Sequence, residues 1–169
     1  MLIYHPMFDP YHCALRFSCI LIDSRKANME WDRLRLLDFF VTFPHLLSKI
    51  RLPRSLSSSR SVLKNVSEPY EHLPASHRLF FQLNEIQVPA ARVLGAKNIF
   101  DQSELKNGSV VVTKPTELAS QINSIKAPLS FRSAAWYPFV INDLSELPLN
   151  GKDGFKDRSG VMEFRHDAI

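Results

Sequence analysis

The chain has 169 residues, a length that suits one domain or one core with a small lobe. At 45% apolar and 22% charged residues it is neither a disordered chain, a collagen nor a coiled coil, and 5 glycines leave little room for a glycine-rich phosphate cradle. The net charge is +4, and the excess of cations falls in the first third of the chain.

Asp9-Pro10 opens a predicted helix over 10–25, with Asp9 as N-cap and Pro10 at the first helical position. Tyr11, Ala14, Leu15, Phe17, Leu21 and Ile22 form its apolar arc. Asn28 caps a second predicted helix over 29–43, apolar around most of its girth and therefore central to the core. Asp32, Arg35, Asp38 and Thr42 are its polar strip, and Asp38 is expected to be structural, hydrogen-bonded or ion-paired near the junction with the first helix, with Arg16 as a candidate partner. Pro44 ends that helix and starts a short one over 45–51.

Residues 52–70 read as a mobile Pro/Ser-rich loop. A helix over 74–87 follows, interrupted by Pro89, and then a shorter one over 90–96. Asp101 caps one further turn, Asn107-Gly108 is a turn signal, and Val110 to Thr113 reads as a strand. Pro115 opens a last helix over 116–125. The fold class expected is mainly α with a minor β element, compatible with a winged helix-turn-helix-like helical domain. That domain is expected to span 1–149, with 150–169 as a loosely ordered tail rich in glycine and charge.

The 29 residues from 39 to 67 contain Lys49, Arg51, Arg54, Arg60 and Lys64 and no acid. Together with the neighbouring serines, these five are the candidate nucleic-acid- or partner-binding residues, because Lys, Arg and Ser are the groups that neutralise and hydrogen-bond phosphate. The alternative is a basic, solvated connector. Trp136, Tyr137 and Phe139 form an aromatic cluster read either as partner-interface anchors or as ordinary packing.

Constellations that carry chemistry are not evident. There is no P-loop and no His-Glu-x-x-His. His5, Asp9, His12 and Cys13 cluster without an established metal-ligand spacing, and Asp9 is explained as a cap. Cys13 and Cys19, on different faces of one helix, are expected to be reduced thiols. The two Ser-x-x-Lys matches, at Ser61 and Ser103, occur at chance level. The expectation is no catalytic residue, no metal, no cofactor and no enzymatic activity. The residues up to Pro10 lack Lys and Arg, and the apolar run 17–22 stops at Asp23, so neither a signal peptide nor a membrane span is expected, and the protein is placed in the cytoplasm.

Asp9-Pro10, Arg16, Leu37-Asp38-Phe39-Phe40 and Phe43-Pro44 resemble the middle components of bacterial ABC-three-component systems, related to Lamassu-type anti-phage defence. The resemblance covers about the first 50 residues. It implies a small, non-enzymatic adaptor between an ATPase of the structural-maintenance-of-chromosomes type and an effector such as a nuclease; DNA as a further partner is the expectation of the basic segment alone. The alternative is a stand-alone winged-helix DNA-binding regulator.

Overall fold

The computed structural model describes residues 8–69, 73–127 and 129–162. Three helices make the centre: α1 (Pro10–Asp23), α2 (Trp31–Thr42) and α4 (Ser76–Ala96), with α1 packed on both others. Asp9 caps α1 as expected, its carboxylate accepting from the Tyr11 backbone N–H at 2.7 Å, with Pro10 in the first turn. In α2, Leu34, Leu36, Leu37 and Phe39 are fully buried, which a helix apolar on several faces requires of a central element. Phe39 meets Phe80 of α4 edge to face, ring centroids 5.5 Å apart.

A short strand, β1 (Asn28–Glu30), precedes α2, so Asn28 is a strand residue and not a helix cap; Glu30 takes the cap position without a side-chain bond. The reason is tertiary. Residues 28–30 pair antiparallel with β2 (Ser109–Val111), Met29 lying opposite Val110, and both are buried. A bridge between Phe100 and Val112 extends the pairing on the far side of β2. Between Phe100 and β2 sits α5 (Gln102–Lys106), capped by Asp101, which accepts from the backbone N–H groups of Ser103 and Glu104. Gly108 then turns the chain at a φ of 80°, where a side chain is disfavoured. The chain is thus mainly helical with a small antiparallel sheet, as its sequence predicts.

Pro89 does not interrupt the third long helix. α4 runs unbroken through it to Ala96. Proline removes one backbone donor, but Leu83, Gln87, Ala90 and Ala91 keep one face buried across it, and that packing outweighs the lost bond. The short helix expected after Pro44 forms as a 3-10 turn at Pro44–Lys49, and the segment expected as a mobile loop from 52 onward instead forms a 3-10 turn at Arg54–Ser59 and a single helical turn, α3 (Arg60–Leu63). Leu46, Leu47 and Ile50 anchor the first to the core, and Leu63 anchors the second. Residues 70–72 of that segment lie outside the described residues.

After α6 (Pro115–Asn123) and the turn α7 (Ser130–Ser133), a π-helical turn at Phe139–Asp143 and a 3-10 turn at Leu144–Glu146 close over α2. The stretch expected as a loose tail is packed over 150–162. Phe155 opens the turn α8 (Phe155–Ser159), is fully buried, and stacks on Phe40 with centroids 6.0 Å apart. Gly154 makes this possible, since a Cβ there would collide with the Asn150 carbonyl oxygen. Val161 is also buried. Isolated apolar residues in a charged stretch carry no periodicity, which is why the sequence reads as a tail. Among the described residues no helix is long and apolar enough to cross a membrane.

Candidate functional site

The polar groups divide into those the fold consumes and those it leaves outward. The largest consumed set joins the three central helices. Arg16 of α1 donates to both carboxylate oxygens of Asp38 on α2, at 2.6 and 3.3 Å, and the Asp38 side chain is fully buried. Gln87 of α4 donates to Asp38 at 2.9 Å and to the Arg35 carbonyl at 3.1 Å. The Cys13 thiol completes the set, 3.7 Å from Asp38. Burial works against the Arg16 charge, but the Asp38 carboxylate overcomes it and holds the guanidinium above its ordinary value. Burial, reinforced by Asp38, pushes the Cys13 thiol strongly up. The expected Arg16–Asp38 pair is therefore present, and its role is to lock helices together. Arg35 pairs with Asp32 at 3.3 Å, as its place on the polar strip suggests, while its guanidinium lies over the Phe80 ring.

A second consumed set sits at the end of α1. Arg132 grips Asp23 through two bonds of 2.6 and 2.9 Å, and the Tyr137 hydroxyl donates to the same carboxylate at 2.9 Å. Burial pushes the Tyr137 hydroxyl far up and the nearby Cys19 thiol up to about 12. Tyr137 and Phe139 are both about 5% exposed, so the chain's own core uses these two rings. Their placement corrects the reading of them as partner anchors: they are closing elements for the bundle. Trp136 alone of the three keeps a partly exposed ring, packed edge-on against Tyr137. Both thiols are free and buried. Of the candidate metal cluster, His5 lies outside the described residues, and Cys13 is committed to Asp38.

The outward set is the basic segment. α3 packs on both 3-10 turns, so their cations share one small lobe. Lys49, Arg54, Arg60 and Lys64 are exposed, and none forms an ion pair within the described residues. Arg51 differs. It pairs with Asp157 of α8 at 2.9 Å, its backbone N–H donates to the Arg158 carbonyl at 3.1 Å, and Arg158 donates back to the Arg51 carbonyl at 2.7 Å. The local sequence holds no acid, but the fold supplies one from more than a hundred residues away. Lys49 also acts inward: the His45 ring is held below its ordinary value first by burial and then by the Lys49 ammonium, with Glu68 opposing. The candidate surface is thus four cations, with Arg51 as the fifth residue that ties the lobe to α8.

A groove absent from the sequence reading lies between the second half of α4, the start of α2 and α5, with a volume of about 540 Å³. Small residues open it, and small residues in a helix leave no sequence signal of a cleft.

Among known families, residues 2–167 match the ABC-three component (ABC-3C) system Middle Component 5. Comparison with curated proteins and with solved structures found no match. With nearly the whole length matched, the chain belongs to the family of ABC-three component system Middle Component 5 proteins.

Proposed function

We propose that the chain is a non-enzymatic adaptor that bridges an ATPase of the structural-maintenance-of-chromosomes type and an effector such as a nuclease in a cytoplasmic anti-phage defence complex. The basic lobe is its contact for an acidic partner surface or for DNA phosphate. One observation carries the contact: Lys49, Arg54, Arg60 and Lys64 stand exposed on one packed lobe with no ion-pair partner among the described residues. Like charges held close repel one another, and an external anion relieves that repulsion. Membership of a multi-component system supports a bridging role. The buried polar groups support a non-enzymatic one. The ionisable clusters are bonded into the core, and both thiols are raised, which suppresses the thiolate that a cysteine nucleophile needs.

The test is co-purification of the tagged chain with the ATPase and effector of its own system. The expected result is a ternary complex that weakens when Arg54, Arg60 and Lys64 are all reversed to Glu. A wild-type chain that captures neither component overturns the bridging role. Metal-dependent DNA cleavage by the purified chain, lost on substituting Asp9 or His12, overturns its non-enzymatic character.

A second reading, the stand-alone winged-helix regulator, draws on the element order. α1, β1, α2, α4, the Phe100 bridge, α5 and β2 come in that order, with the basic lobe between α2 and α4 and with the helix α5 in the place of a wing. In that reading α4 enters the major groove. Sequence-selective DNA binding with a steep salt dependence, in the isolated protein, favours it over the adaptor.

A further inference from the structure

We propose that the groove between α4 and α5 is a docking site for an acidic segment of a partner protein, anchored by an apolar side chain. The proposal rests on the adaptor reading and names the chemistry of one partner contact. The floor of the groove is Ala91 and Gly95 of α4, both buried and both too small to fill it. One wall is Trp31, at the first position of α2, backed by an edge contact with Phe17 at 5.6 Å. The facing wall is Leu105 of α5.

The walls are fixed rather than adaptable. Gln102 donates to the Gly95 carbonyl at 3.0 Å, Asp101 caps α5, and the Phe100–Val112 bridge holds the base of α5 to the sheet. A Cβ on Gly95 would crowd Gln102, 3.2 Å from its Cγ, so the glycine sets the distance between the two helices. The volume, about 540 Å³, falls within the ~300–1,000 Å³ typical of clefts that bind ligands.

Charge selects the occupant. The lining holds two charged residues, Arg92 and Lys106, both exposed cations without an ion pair among the described residues. No acid lines the groove. Asp32, beside Trp31, is already neutralised by Arg35 and by Lys156 at 2.6 Å. Asp101, the cap of α5, and Glu104 within it do not line the groove. An apolar floor between an indole and a leucine, with a cation at Arg92 and another at Lys106, complements an apolar anchor flanked by carboxylates. Nucleic acid would use the two cations but would leave the apolar floor unmatched.

The experiment is selection of a random dodecapeptide phage library on the full chain. Affinities are then read by the fluorescence of Trp31 in a Trp136→Phe background, which leaves one tryptophan. The selected peptides are expected to carry Asp or Glu beside an apolar anchor. Arg92→Glu with Lys106→Glu should weaken them by about tenfold or more, as loss of charge-assisted bonds does. Ala96→Glu, at an exposed position on the groove edge, should do the same without lowering the melting temperature. Peptides without an acid excess, or affinities indifferent to these variants, overturn the proposal. So does a Trp31 response saturated by short duplex DNA in preference to the peptides. In the complex, assembly that survives the Arg92/Lys106 reversal overturns the groove and leaves the adaptor standing. If the wild-type chain assembles with nothing, the adaptor reading fails, and the peptide selection alone decides the groove.

Discussion

Replacing Asp38 with Ala removes the acceptor shared by Arg16, Gln87 and Cys13. Gln87 keeps its bonds to the Arg35 backbone and side chain, and the thiol is a weak donor. The cost therefore falls on Arg16, a residue 7% exposed whose guanidinium is left without its counter-charge. Stranding one member of a buried pair costs ~3–5 kcal/mol. Against a total of ~5–15 kcal/mol for a domain, that is a large share. At ~2–4 °C per kcal/mol for a chain of this size, the melting temperature should drop by about 6–20 °C. Urea unfolding followed by circular dichroism reads the loss as a lower midpoint at unchanged slope. The diagnostic variant is the double replacement Asp38→Leu with Arg16→Met, which removes both charges and should recover most of the stability. A single variant that loses less than ~1 kcal/mol would refute the reasoning, because that is the range of an exposed pair. A double variant no better than the single would refute it too, since the damage would then be lost packing rather than a stranded charge.

Phe155→Ala should cost ~3–5 kcal/mol, the range for a fully buried phenylalanine, and calorimetry checks it; an unchanged melting point would mean that α8 is not part of the core. Reversal of Arg54, Arg60 and Lys64 to Glu should leave the melting temperature in place while weakening complex or DNA binding. Arg51→Glu should instead loosen α8, seen as faster proteolysis beyond residue 150, because it repels Asp157. Burial raises Cys13, Cys19 and Tyr137 above their ordinary values, so the native state holds these protons after the unfolded chain releases them. The contribution of these three groups to stability should therefore be flat below about pH 9 and fall above it, with a slope of up to ~1.4 kcal/mol per pH unit for each group. Urea midpoints between pH 8 and 11 check the sign, and a rise with pH would contradict it.

What the sequence reveals depends on how local each cause is. The α1 cap is legible because Asp9-Pro10 acts within one turn. The Arg16–Asp38 pair is legible because a carboxylate in the most apolar part of a central helix must find a cation, and helical spacing restricts the choices. β1 is not legible, since Asn28-Met29-Glu30 becomes a strand through a partner that lies beyond α5. Nor is the continuity of α4 through Pro89, where burial on both sides overrides a local penalty. The basic segment shows both outcomes. Its exposed cations follow from composition, whereas the counter-charge for Arg51 comes from Asp157, which no local pattern connects to it. Tyr137 and Phe139 illustrate the same limit for burial, because an aromatic cluster reads alike whether it faces inward or outward.

The pairing of β1 with β2 has a kinetic side. Most of the core is built from helices whose contacts can form early, but the two short strands enclose α2, the basic lobe, α4 and α5 between them. Bringing Met29 to Val110 closes that entire loop before any of its ladder bonds are gained, and the entropy of closure is lost first. Sheet closure should thus lag behind helix packing, so that helical circular dichroism develops in an earlier phase than protection of the Val110 and Val112 amides. The walls of the α4–α5 groove are hung on that sheet. A nascent chain would hold its helices before it possessed a finished groove, and recognition there would be delayed until the loop between the two strands had been closed.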